Sequence, residues 1–112
     1  MLGPDGLTAV EAGVLMEQPI DRVMTMILFS VIKKGAASVQ TRDPLALDFT
    51  TPQPADLYEY EKQFLEAFRT TDKRQRRRDL QQMMINLVQS VSQKMKGFSR
   101  KETVAYYRDI IQ

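Results

Sequence analysis

The apolar residues of this chain change period at Gly35, and that change restricts the fold more than any other feature. Before it, Ile20, Val23, Met24, Ile27, Leu28 and Val31 recur at the spacing that gathers them on one face of an α-helix. After it, Leu45, Leu47 and Phe49 alternate with Ala46 and Asp48, which is the period of a strand. Lys33 and Lys34 fall in the last turn of the helix, where positive charge suits the dipole. Gly35 is placed as its left-handed cap. The spacing therefore predicts a helix over roughly 20–34, then a hairpin in "SVQTRDPLALDF" that turns at Arg42-Asp43-Pro44. Pro44 cannot donate a ladder bond, so it belongs at an edge or a turn.

The other elements follow from caps and periodicity. Thr8 with Glu11 forms a capping box that opens a short helix over about 9–17, and Pro19 and Asp21 restart the chain after it. "TTPQP" at 50–54 reads as a stiff linker. Asp56 with Glu59 is expected to cap a third helix carrying Leu57, Tyr60, Phe64, Leu65 and Phe68. A fourth carries Leu80, Met83, Met84, Leu87, Val88, Val91 and Met95 and stops at Gly97. Ser99 with Glu102 opens a last helix with Val104, Tyr107, Ile110 and Ile111. Tyr106 and Tyr107 with Phe98 read as core and rim, and the seven methionines as adaptable core.

The fold expected is mainly α with a small β-hairpin, in the α+β class. Residues 1–50 form a winged-helix-like part, 51–56 a linker, and 57–112 a helical part whose three helices pack on the first as one compact domain. The chain stops inside a helical pattern, which suggests a domain cut from a longer protein.

Composition narrows the function. The chain has neither Cys nor His. That removes thiol nucleophiles, zinc sites with nitrogen or sulfur ligands, and the side chain that usually moves protons near neutral pH. No Asp-x-Asp-type cluster or Gly-rich phosphate loop appears, so neither a metal nor an organic cofactor is expected. An enzyme would need converging carboxylates, for instance Glu59, Glu66 and Asp79, and nothing in their spacing demands it. A non-catalytic protein is expected. The longest apolar stretch, residues 23–32, is about half of the roughly 20 residues a membrane-spanning helix needs. "MLGPDG" lacks the basic and apolar regions of a signal peptide.

Two surfaces are candidates for contact. A short helix, a tight turn, a longer helix ending in Lys-Lys-Gly and then a hairpin is the order of a winged helix-turn-helix, whose second helix usually enters the DNA major groove. Reading bases needs polar side chains on the outer face of that helix. Opposite the buried stripe stand Arg22, Met26, Phe29 and Lys33, with Met and Phe in the middle. They are poor base readers. Helices from the second half are expected to pack over this face, ahead of a protein partner and of DNA. The wing offers only Arg42, beside Asp43, a weak phosphate contact.

The second candidate is the basic run Lys73, Arg74, Arg76, Arg77 and Arg78. Residues 1–68 carry five basic and ten acidic side chains, net −5, while residues 69–112 carry eleven and four, net +7. Lys73, Arg76 and Arg77 continue the line of the buried stripe of the fourth helix and cannot be buried unpaired. Either that helix starts near Arg78 and Asp79, or its first turns project past the core. The run is expected to be a solvated helix entrance paired with Asp56, Glu59, Glu61 and Glu66 of the third helix. Anionic lipid or nucleic acid are the other partners considered, and no aromatic residue interleaves the run to stack on bases.

"GPDGLTAVEAGVL", with "VIKKGAASV" after the following helix, resembles the soluble part of a bacterial family of predicted membrane proteins of unknown function. There a segment of the type Leu-Thr-Pro-Ala-Glu-Ala-Gly begins a cytoplasmic winged-helix-like region. Leu7, Thr8, Glu11, Ala12 and Gly13 match it, while Ala9 and Val10 stand where the family often has Pro and Ala. The resemblance covers roughly residues 3–40 and implies a cytoplasmic domain of a larger membrane-associated protein, at the inner face of the cell membrane. The function expected is an interaction or regulatory module that binds a protein partner or the rest of its own chain. The alternative is a winged-helix regulator that binds nucleic acid through residues 73–78. Nothing in the sequence sets an oligomeric state.

Overall fold

The computed structural model describes residues 6–96. Among them the order is α1 (Ala9–Leu15), α2 (Ile20–Lys33), β1 (Ala37–Arg42), β2 (Leu45–Phe49), α3 (Glu59–Arg69) and α4 (Lys73–Lys94). The protein is mainly helical with one small antiparallel sheet, an α+β fold as expected. The expected last helix, its Ser99–Glu102 box, Gly97, and the Phe98, Tyr106 and Tyr107 reading lie outside the described residues.

The chain divides into two compact units, one of residues 1–24 and 85–112, the other of residues 25–84. In the first unit, α1 has the predicted box: Thr8 Oγ1 accepts from the Glu11 N–H at 3.2 Å, and Glu11 Oε1 accepts from the Thr8 N–H at 2.9 Å. The helix closes through Gln18 N–H to the Gly13 carbonyl and Glu17 N–H to the Val14 carbonyl, with Glu17 left-handed at φ 59°. The buried apolar residues of this unit are Leu7, Val10, Ala12, Leu15, Val23, Leu87, Val91 and Met95. Ile20, counted in the apolar stripe of α2, is 54% exposed, because it is the first residue of its helix and has no preceding turn to shield it.

In the second unit α2 ends as its sequence predicts. Ala36 N–H reaches the Val31 carbonyl, Gly35 N–H the Ile32 carbonyl, and Gly35 takes φ 79°. β1 and β2 pair from Ala37↔Phe49 to Arg42↔Leu45 around a two-residue turn, and Gln40 is an extra residue in β1 between Val39 and Thr41. Thr50 N–H and Gln53 Nε2 both donate to the Ala36 carbonyl, which ties the linker to the base of the hairpin. The buried residues here include Ile27, Val31, Leu47, Tyr60, Phe64, Leu65 and Met83.

Two helix starts differ from expectation. α3 begins at Glu59 after Tyr58, not after an Asp56 cap. Tyr58 has no short side-chain oxygen to cap with; the Glu61 carboxylate supplies the cap by accepting from the Tyr58 N–H at 2.8 Å. For α4 the structure selects the second of the two alternatives. The helix runs from Lys73, because Asp72 Oδ1 accepts the N–H groups of Arg74 at 2.9 Å and Gln75 at 3.4 Å, putting a negative charge where the dipole favours it.

Candidate interaction surfaces and two buried glutamates

Each unit is held by one buried glutamate at the third position of a short helix. Glu61, on α3, is fully buried. Its Oε1 accepts from the Lys34 ammonium at 2.6 Å as well as from the Tyr58 N–H, and its Oε2 accepts from the Ser30 hydroxyl. Lys34 also donates to the Asp56 carbonyl at 2.9 Å and sits 3.9 Å from the centre of the Tyr58 ring. Glu11, on α1, is 3% exposed; its second oxygen accepts from Lys94 at 2.8 Å. In both, the lysine comes from the C-terminal end of a longer helix, α2 or α4. The carboxylate thus lies at the positive end of one helix dipole and the ammonium at the negative end of another. Several charge-assisted bonds offset the cost of taking each carboxylate out of water.

This arrangement explains why the outer face of α2 is open. At about 100° per residue, Ser30 and Lys34 lie within about 60° of Ile27, so α3 is engaged on the buried side of α2. Phe29 lies about 200° from Ile27 by the same count. It is 65% exposed, Met26 is half-buried, and Arg22 and Lys33 are exposed. The expectation that second-half helices cover this face therefore fails for Phe29 among the described residues. What remains is an apolar centre with a cation toward each end.

The basic run also differs from expectation. Three of the four acidic side chains proposed as its partners are engaged elsewhere: Glu61 by Lys34, Glu59 by Lys62 at 3.7 Å and Glu66 by Arg69 at 3.5 Å. Among the described residues, none of them pairs with residues 73–78. Arg76 is separated from its neighbours by structure: its guanidinium donates to the Thr70 carbonyl at 2.8 Å, closing the end of α3, and lies 4.8 Å from the centre of the Phe68 ring. Arg78 donates to Gln75, and Lys73, Arg74, Arg77 and Arg78 are exposed. Four of the five candidate residues thus form a solvated cationic helix start, and the fifth is part of the packing.

Glu59 and Glu66 pair within α3, and Asp79 accepts from Gln75 at 2.7 Å, so each carboxylate named for acid–base work has a partner on its own helix. No group of three or more Asp or Glu among the described residues could hold a metal ion. No helix among them is long and apolar enough to cross a membrane. An apolar groove opens in the first unit, lined by α1 and α4; no sequence signal marked it, because it depends on which faces of two distant segments meet. Comparison with protein families, with curated proteins and with solved structures finds no match.

Proposed function

We propose that this chain is a non-catalytic interaction module of winged-helix-like order, part of a larger membrane-associated protein at the cytoplasmic face, and that its contact surface is the outer face of α2. The observation that carries this reading is Phe29, exposed at the middle of that face with Met26 beside it and Arg22 and Lys33 toward its ends. An exposed aromatic ringed by polar residues is the composition of a binding hot spot. Its partner is a protein segment with an apolar anchor and acidic flanks.

A photoreactive phenylalanine analogue at position 29 tests this in the native cell. A discrete protein adduct is expected there, and none from the exposed control position Gln89. The purified partner should bind Phe29→Asp at least about tenfold more weakly, roughly 1.4 kcal/mol. Equal affinity for Phe29→Asp would remove this face from consideration.

The four exposed cations at the start of α4 favour a second reading, a nucleic-acid-binding regulator. The same charges suit anionic lipid headgroups. Neither alternative uses Phe29, so the experiments separate them.

A further inference from the structure

Along the outer face of α2, Arg22, Met26, Phe29 and Lys33 follow one another at intervals of four, three and four residues. That is the spacing of a coiled-coil seam, a stripe one side chain wide, and not the broader apolar face of a helix packed into a core. The stripe runs about 16 Å along the helix axis. Its centre is apolar, with Phe29 65% exposed and Met26 half-buried, and its two ends are exposed cations.

This geometry suits a helix and no other form of peptide. A strand adds to unpaired backbone groups at a sheet edge, and inside α2 those groups are bonded along the helix. A polyproline segment docks in a groove lined by aromatic rings, and Phe29 is the one aromatic of the stripe. A helix needs only a seam that its own side chains can enter. A second copy of α2 does not supply that helix. Paired antiparallel, Arg22 faces Lys33 of the copy; paired parallel, each cation faces itself. Either direction sets like charges together at both ends.

We infer that the partner at this face is an amphipathic α-helix of a different protein. It lies within about 20° of the α2 axis, since a steeper crossing would leave the ends of the stripe uncovered. Apolar side chains meet Met26 and Phe29, and carboxylates meet Arg22 and Lys33. This rests on the α2-face reading and adds the partner's conformation, its charge and its being a separate molecule.

The photoreactive phenylalanine at position 29 supplies the probe. Mass spectrometry of the adduct locates the captured segment, which is then synthesised as a peptide and titrated with the full chain by fluorescence anisotropy. A proline at a polar position in the middle of the peptide should weaken binding at least about tenfold, while alanine at the same position leaves it unchanged. Arg22→Glu with Lys33→Glu, its circular dichroism unaltered, should also bind at least about tenfold more weakly. Exchanging the acidic residues of the peptide for Lys should restore binding to that variant. A peptide that tolerates the proline overturns the inference, and so does equal affinity for the charge-reversed variant. An adduct within the chain itself or to a second copy overturns it too. Each of these outcomes still leaves Phe29 at a contact. No adduct at position 29 is the different failure, that of the α2-face reading itself, and the inference falls with it.

Discussion

Glu61 has no exposed surface, and its charge is stabilised by Lys34, Ser30 and the Tyr58 N–H. Removing the carboxylate leaves a largely buried ammonium, 19% exposed, without its counter-charge. Glu61→Ala should therefore lower the stability seen in urea unfolding by about 3–5 kcal/mol. Lys34→Met should cost a similar amount, since it strands the carboxylate. The double variant Glu61→Leu/Lys34→Met should cost clearly less than the sum, because it removes both charges together. Strict additivity would show that the pair contributes nothing as a pair. Arg76 offers a second contrast. Arg76→Ala removes the bond that closes α3 and the stacking on Phe68, worth about 1–2 kcal/mol together. Arg77→Ala, at an exposed position, should leave the unfolding midpoint where it is. Sequence alone does not separate these two arginines or reveal the burial of Glu61. Glutamate is rarely fully buried, and its partner lies 27 residues away. The only local hint is that Glu61 stands three positions after Tyr58.

α1 and α2 end in the same hydrogen-bonded turn, with a left-handed residue just past the helix. α1 places Glu17 there and α2 places Gly35. A Cβ on Gly35 would meet nothing within 4 Å, so the cost of Gly35→Ala is backbone strain alone. That cost should be about 1 kcal/mol in thermal or urea unfolding. A loss several times larger would mean that the start of the hairpin shifts with the turn. Helix ends of this kind are legible in a sequence because their causes lie within a few residues: the Thr8–Glu11 box, the Gly35 stop and the alternation from Leu45 to Phe49 are all found where they were expected. The start of α3 was not legible, because its cap is Glu61 reaching back, held in place by a lysine from α2. The start of α4 was legible only as two alternatives, since four exposed cations oppose the dipole and Asp72 offsets them.

At the scale of the whole chain, periodicity and caps carry the α+β class, while the fate of each outer face depends on which side of a helix its neighbour approaches. Phe29 is open because the Ser30 and Lys34 side of α2 is the one α3 meets. Charge is the other whole-chain property, at −5 over residues 1–68 and +7 over 69–112. The exposed part of that positive charge includes Lys73, Arg74, Arg77 and Arg78, and these suffice for weak phosphate contact. Four neutralised phosphates give a slope of about −4 in log K against log salt on duplex DNA. An interaction module should show at most this: binding by fluorescence anisotropy at low salt, indifferent to sequence and gone near physiological salt. Replacing Arg74, Arg77 and Arg78 with Ala should flatten the slope to about −1. Base selectivity requires a reading helix, and the helix in that position presents Phe29 at its centre, which cannot pair with base edges. A duplex that is bound selectively at physiological salt, by a complex that the three alanines abolish, would put the regulator reading ahead of the interaction module and reassign the start of α4 as its anchor.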